Sequence, residues 1–506
     1  MRTTLLLLAL ASAAVAQEWI PLDGRSKAVG NAGVAFAEGP AAAYWNPASL
    51  AYKAEKPFDF STGVGFTISA FGDVAIEGDI LADVVHVTDL YSDLNFQAIQ
   101  TRMNAGTHTS QDVQDALKIM NAVLALDDPG KGSIAHAGGG FDLKIGPFGI
   151  FARALGTVAM DPFYDFSPRN SSSLTSTDLA TFFGQMPDGA VALSGAGSAL
   201  AAKLFSCGLT GNSDGGVATD AEELAFQAQT ALGDAAISDP KMQEALCAVA
   251  QATLAGAGGA ASNTLYFNGS GVEIRSILQR EIGISFGLPL YPSILNVGIG
   301  LKEIITDSFY RRITLKEIDE DDDLLGRVKD EYKENSKRSN DFNIDLGATV
   351  YPLSWLTVGL SARNLIPMTI DIAGPGGDIH LDPQVRMGAA ARVSILRFGF
   401  DLDLTKDDSE LLQGYESQTL GFGMEIDLWV LQLRGGWFDN IASSTSKGVF
   451  TGGLGLNFYL FKLDIAGQLA LSEVKVKPAD PAAGDNEQLV PERLGVGVTL
   501  RVDLPF

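Results

Sequence analysis

Few residues of this chain could do covalent chemistry, and none of them stands in a catalytic pattern. His86, His108, His136 and His380 are scattered, without the H-E-x-x-H or i,i+4 spacing that turns two imidazoles toward one metal ion. Neither these histidines nor a G-x-S-x-G elbow supplies a serine with the adjacent base that a nucleophile needs. Gly298-Ile299-Gly300 and Gly452-Gly453-Leu454-Gly455 have the look of phosphate loops, but no helix pattern follows them, so glycines within strands explain them better. The acidic run Asp319–Asp323, followed by Lys333, Lys337 and Arg338, lacks the glycine and spacing of a calcium loop and reads as a solvated charge run. Cys207 and Cys247 remain. They suit a disulfide in an oxidising compartment; as metal ligands they lack a nearby histidine and the four donors structural zinc prefers. No catalytic set, metal or cofactor is implied.

The start of the chain assigns the compartment. Arg2 precedes the apolar run Leu5–Leu10, and Ala14-Val15-Ala16 before Gln17 has the small residues that signal peptidase requires. The expectation is a secretory signal over residues 1–16, cleaved after Ala16; the run is too short to span about 30 Å of hydrocarbon. No later stretch offers 18 uninterrupted apolar residues, so a membrane-spanning form must be a closed barrel in which every backbone amide is paired. Of 506 residues 56 are Gly and 27 Phe, and the charged fraction is 19%, below the roughly 25% of soluble domains. The formal charge of −25, one unit more negative once Arg2 is removed, repels phosphates and disfavours nucleic-acid binding.

Alternation with period two is the dominant pattern. Phe58, Phe60, Val64, Phe66 and Ile68 share one face; Leu494, Val496, Val498, Leu500, Val502, Leu504 and Phe506 share another. Fourteen strands are expected, near 58–70, 133–146, 148–158, 272–288, 293–305, 341–351, 355–365, 383–393, 396–405, 416–428, 430–438, 447–459, 461–471 and 491–504. Connections after even-numbered strands are short and those after odd-numbered ones long, the asymmetry of an outer-membrane barrel with tight periplasmic turns. The fold expected is all-β: a 14-stranded antiparallel transmembrane β-barrel in the outer membrane of a Gram-negative bacterium, surrounded by lipid and lipopolysaccharide. Helical insertions are expected in its outer loops at 72–131, through Val84, Val85, Leu90, Leu94, Val113, Leu117, Met120 and Leu124, and at 159–271, near 218–232 and 239–254.

Parity then orients the charges. If Phe398, Phe400, Leu402 and Leu404 meet lipid, Asp401 and Asp403 point into the lumen, as do Glu425, Asp427, Arg363, Arg386, Arg392, Arg434 and Arg501, with Asp345 and Asp464. An arginine facing lipid would cost about 2–4 kcal/mol at the midplane. These groups are read as bracing the wall across neighbouring strands or as guiding a solute.

The segment before the first strand reads Gly24-Arg25-Ser26-Lys27-Ala28-Val29-Gly30-Asn31-Ala32-Gly33, then Tyr44-Trp45-Asn46-Pro47-Ala48. It resembles the amino-terminal hatch of the long-chain fatty-acid transporter superfamily. Leu346–Pro352, Trp355–Leu360, Ala362–Leu365, Pro383–Gly388 and Asp401–Thr405 resemble the conjugal-transfer TraF-like barrels of the same broad group. The resemblance implies a hatch over 17–57 in the lumen of a barrel over 58–506, with Arg25, Gly30, Gly33, Asn46, Pro47 and Ala48 as hatch residues. It implies a hydrophobic small molecule as ligand, or a secretion or envelope protein as partner. A barrel-embedded enzyme is the reading least supported by the residues.

Overall fold

The computed structural model describes residues 19–52, 63–77, 107–125, 132–163, 190–257, 271–314, 323–372, 377–409, 414–442, 448–477 and 488–504, with scattered positions between them. The signal segment, Phe58, Phe60, Val84, Val85, Phe506 and residues 319–322 lie outside the described residues.

The strands are β1 (Val64–Glu77), β2 (Gly132–Ile145), β3 (Phe148–Phe163), β4 (Gly271–Tyr291), β5 (Leu295–Thr314), β6 (Lys337–Leu353), β7 (Leu356–Arg363), β8 (Met368–Ile370), β9 (Ile379–Leu381), β10 (Gln384–Val393), β11 (Leu396–Asp403), β12 (Asp407–Ser409), β13 (Tyr415–Ser417), β14 (Thr419–Leu428), β15 (Leu431–Asn440), β16 (Val449–Phe458), β17 (Phe461–Ala470), β18 (Glu473–Lys477), β19 (Gln488–Pro491) and β20 (Arg493–Leu504). β1–β7, β10, β11, β14–β17 and β20 form a closed antiparallel barrel of fourteen strands, sealed where Val64 pairs with Leu504 and Ala75 with Arg493. Closure leaves no sheet edge, which is the condition for crossing lipid with strands. No described helix is long and apolar enough to cross a membrane.

The outward face is apolar. Ile68, Phe141, Ile282, Phe342, Leu360, Phe400, Phe422, Leu454, Ile465 and Val496 are all exposed, while their sequence neighbours face inward. Burying such residues in lipid is worth roughly 25 cal/mol per Å². The tight connections follow even-numbered barrel staves; Gly146, Ser394, Trp429 and Tyr459 turn four two-residue connections at positive φ, as such hairpins favour, and Ser293 turns a three-residue one. Trp429 and Tyr459 are 86% and 84% exposed, and Tyr291 and Trp355 are exposed at the β4–β5 and β6–β7 turns. Four of the short turns thus carry an aromatic ring suited to the membrane–water boundary.

Several boundaries differ from those expected. β1 continues to Glu77 and β3 to Phe163, into the stretches read as insertions, and β4 and β5 run to 21 and 20 residues. Beyond the lipid both faces of a strand tolerate charge, as at Arg311-Arg312, so the alternation that marks a strand fades before the strand ends. The hairpins β8–β9, β12–β13 and β18–β19 were not expected, because three to five residues are too few to display a period.

The two outer insertions fold on one another. Helix Ser110–Leu124 buries Val113, Leu117, Met120 and Leu124 against helices Gly195–Ser206, Asp220–Ile237 and Pro240–Ala257, with Leu90 and Leu94 partly buried at the margin. Reciprocal capping by Thr109 with Asp112 and Thr219 with Glu222 starts two of these helices. Gly195–Ser206 escaped the sequence reading because Ala and Gly dominate it and its faces differ little. A disulfide with an S–S distance of 2.01 Å links Cys207, at its end, to Cys247. Carboxylate oxygens of Asp214, Asp220 and Glu223 come within 4.8 Å of one another nearby, a grouping the sequence reading did not single out. The G-x-S-x-G spacing does occur here, at Gly211–Gly215, but between two helices, with the Ser213 hydroxyl donating to Asp220 at 2.6 Å. No sheet-borne nucleophile elbow is formed.

Candidate functional site: the hatch in the barrel lumen

Residues 19–52 lie inside the barrel, almost all of them buried. Asp23 caps helix Gly24–Ala28 by accepting from the Ser26 N–H at 2.8 Å, and its second oxygen accepts from the Trp45 indole at 2.7 Å. That helix aims Arg25 at β14, where Nε and Nη2 donate to the two oxygens of Glu425 at 2.8 and 2.9 Å. The Arg25 guanidinium also lies 4.5 Å from the centre of the Phe36 ring. Glu425 accepts from Arg434 at 2.7 Å, and Arg434 reaches Asp464 at 2.6 Å. Two residues along the helix, Lys27 pairs with Asp73 of β1 at 3.3 Å, and Arg493 pairs with the same carboxylate at 3.2 Å.

The next turn depends on glycine. Gly30 has φ +71°, and a Cβ there would fall 2.3 Å from the carbonyl oxygen of Phe422; a Cβ at Gly33 would enter the Trp45 ring. The backbone uses this closeness: Gly30 donates to Thr451 Oγ1 at 2.9 Å, and Gly33 and Val34 both donate to Asp401 at 2.8 and 2.9 Å. Asn46 then caps the turn Pro47–Ala51 by accepting from Ala48 N at 3.1 Å, while Pro47 occupies the first position, where no N–H is needed.

The inward charges fall into three groups. Arg386 pairs with Asp403, its register partner, at 2.8 Å and reaches the Asn31 carbonyl at 3.5 Å, beside Asp401. Arg363 stands apart, at 3.3 Å from Glu281 and 4.3 Å from the Tyr44 ring. The third group surrounds Glu38 of the hatch, which takes Arg392 at 2.7 Å and Arg397 at 3.2 Å, with Arg25 at 3.8 Å. Asp427 meets Arg397 at 3.3 Å, and Arg501 donates to the Glu38 carbonyl at 3.3 Å. Asp345 pairs with Lys302 at 3.1 Å. Arg397, Glu38, Glu281, Lys302, Lys27 and Asp73 were missed in the sequence. The parity that turned Asp401 inward applies equally to Arg397, so that one was legible.

Glu38 lies outside the spanning strands. Burial alone would raise its carboxyl, but Arg25, Arg397, Arg392 and Arg501 together hold it down at about 2.

Aromatic residues of the hatch belong to an apolar cluster. Trp19 stacks on Trp45 with ring centres 6.1 Å apart, and Tyr44 meets Trp45 edge-on at 5.5 Å. A single buried cluster joins these rings to Phe71, Leu155 and Ile277 of the wall, to Ile370, Ile372 and Ile379 at the β8–β9 hairpin, and to Leu411, Leu412 and Tyr415 near β13. On the short-turn side of the hatch lies a cavity of about 180 Å³ that includes Arg25, Glu38, Tyr52, Trp355, Arg392 and Arg397 in its lining. Among the described residues, no histidine joins a group able to hold a metal ion.

The sequence profile of the family described as "F plasmid transfer operon, TraF, protein" matches residues 43–403, from the second half of the hatch through β11. The chain belongs to this TraF family. In fold the TraF-family barrel is similar to the toluene transporter TodX of Pseudomonas putida, at 10% identity over 97% of this chain and 100% of that one, with a TM-score of 0.43. It is similar too to a Pseudomonas aeruginosa FadL homologue, at 8% identity over 97% and 100% of the two chains, with a TM-score of 0.39. No curated protein sequence matches it.

Proposed function

We propose that this TraF-family barrel is a non-enzymatic outer-membrane protein that binds hydrophobic small molecules in its lumen and passes them across the outer membrane. One observation carries the reading: the buried apolar cluster that runs from the outer hairpin residues Ile370 and Ile379 down to Trp19 and Trp45 of the hatch. A lumen that served polar solutes would be lined by polar groups along its length. Here the polar half is spent on holding the hatch, and the apolar half is what a solute of low polarity would replace, contact for contact. On this reading Arg25, Gly30, Gly33, Asn46, Pro47 and Ala48 seat the hatch, and the inward charges of the wall brace it. Titration of the purified, detergent-solubilised barrel with a panel of alkanes, arenes and fatty acids should quench Trp19 and Trp45 emission saturably. A folded sample that responds to none of them overturns the reading.

The family description favours a second reading, an accessory of secretion or conjugation-type assembly that binds a protein partner, with the disulfide-linked helical cap as its outer surface. Crosslinking in intact envelopes should then recover one specific partner, and recovery of the barrel alone argues against it.

A further inference from the structure

The cavity on the short-turn side of the hatch has a composition that the passage of apolar solutes does not explain. Three guanidiniums, of Arg25, Arg392 and Arg397, line it against the single carboxylate of Glu38. Behind the lining, Glu425 engages Arg25 and Arg434, Asp427 engages Arg397, and Asp464 engages Arg434. The network so far is four guanidiniums with four carboxylates. At its rim, Arg501 and Lys462 share Asp503, at 3.0 and 2.7 Å, which leaves one positive charge in excess.

Arg392 is the member with most to offer. It places one N–H on Glu38, at 2.7 Å, and its side chain is 35% exposed, whereas a guanidinium carries five N–H donors in a planar fork suited to two oxygens at once. Ser49, Ser354 and Thr357 belong to the same lining. Glu38 therefore occupies an oxyanion cup as an internal ligand, beside Arg25, which also ties the hatch to β14. The cavity, at about 180 Å³, is smaller than the roughly 300–1,000 Å³ of drug-sized sites and suits a headgroup instead of a whole lipid.

We propose that this cavity binds a small oxyanion, a carboxylate or phosphate group entering from the periplasmic side, which displaces Glu38 from Arg392 and Arg397 and loosens the hatch from its wall. The inference goes beyond the transport reading and stands whether or not apolar solutes pass. It assigns the hatch a trigger on the side opposite the helical cap. The carboxylate of Glu38 is the competitor that sets how much anion is needed.

Calorimetric titration of the full-length barrel in neutral detergent, with inorganic phosphate, acetate and hexanoate as separate probes, tests it. Saturable binding of at least one probe is expected. Arg392→Gln should weaken it about tenfold or more, the loss expected for a hydrogen bond to a charged group, and Arg392→Lys, which keeps the charge without the fork, should weaken it as well. Glu38→Gln should tighten it, and cleavage of the hatch by added protease should rise with anion in the unaltered protein. Phosphate binding alone identifies a free anion as the ligand, while hexanoate binding above acetate identifies the head of an amphiphile. No saturable binding by any probe, or equal binding to the protein and to both Arg392 variants in samples that keep heat-dependent gel mobility, overturns the site. Binding that Glu38→Gln leaves unchanged or weakens overturns the displacement.

Discussion

The side-chain amide of Asn46 donates to the carbonyl oxygen of Ala348 in β6 at 3.0 Å, and the next wall residue, Gly347, leaves room for the amide oxygen where a Cβ would stand 2.0 Å from it. Hatch and wall are fitted to one another at this point. Gly347→Ala should push the Asn46–Pro47 turn off the wall, with a cost of about 1–3 kcal/mol typical of overpacking. Limited proteolysis of the folded barrel should then cut between residues 19 and 52. Continued protection of that segment would show that the turn is seated by other contacts.

Arg25 and Glu425 form the two-point hydrogen-bonded pair that ties the first hatch helix to β14. Breaking a buried pair by removing one partner costs about 3–5 kcal/mol; because Glu425 keeps Arg434, Arg25→Ala should fall at the low end. In planar bilayers the altered protein should show more ion conductance than the unaltered protein. A variant that conducts no more than the parent would mean that the remaining anchors suffice.

Glu38 titrates below its ordinary range, so its share in seating the hatch is complete above its unfolded value near 4.3 and is lost as the pH falls toward about 2. Between those limits hatch protection should decline with falling pH. Glu38→Gln should remove that part of the decline while lowering protection at neutral pH. Parallel profiles for the two proteins would assign the dependence to other groups.

The disulfide between Cys207 and Cys247 joins two helices of the cap and no barrel stave. Cys207→Ser should cost about 2–4 kcal/mol, confined to the cap: outer helices become protease-sensitive, while heat-dependent gel mobility of the barrel persists. Loss of that mobility would tie the cap to barrel integrity.

Leu454 lies near the middle of β16, paired to Leu433 and Ile465, and all three face outward. Leu454→Arg should destabilise the folded barrel in bilayers by about 2–4 kcal/mol, read from urea unfolding into vesicles. An unchanged midpoint would place lipid elsewhere.

The staves were legible because lipid imposes parity: from Leu494 to Leu504 every second residue is apolar, and one lapse would put charge in hydrocarbon. The same rule turned Arg386 and Asp403 inward, where they pair. It could not say that Glu425 meets Arg25, because these residues are 400 positions apart and nothing local links a hatch to a wall. The ends of β4 and β5 and the small hairpins were hidden for a related reason, since parity is enforced only at the depth of the membrane. Glu38 carried no signal of its own; its role arises from Arg392 and Arg397 on strands that pack around it.

Gly24 takes Thr499 as a hydrogen-bond partner, 475 positions downstream, on the stave that seals the barrel against β1. This partner of the first hatch helix is thus made last. During biogenesis the Gly24–Thr499 contact can form only once the final stave exists. The seal that closes the barrel is therefore also the contact that completes the seating of its plug.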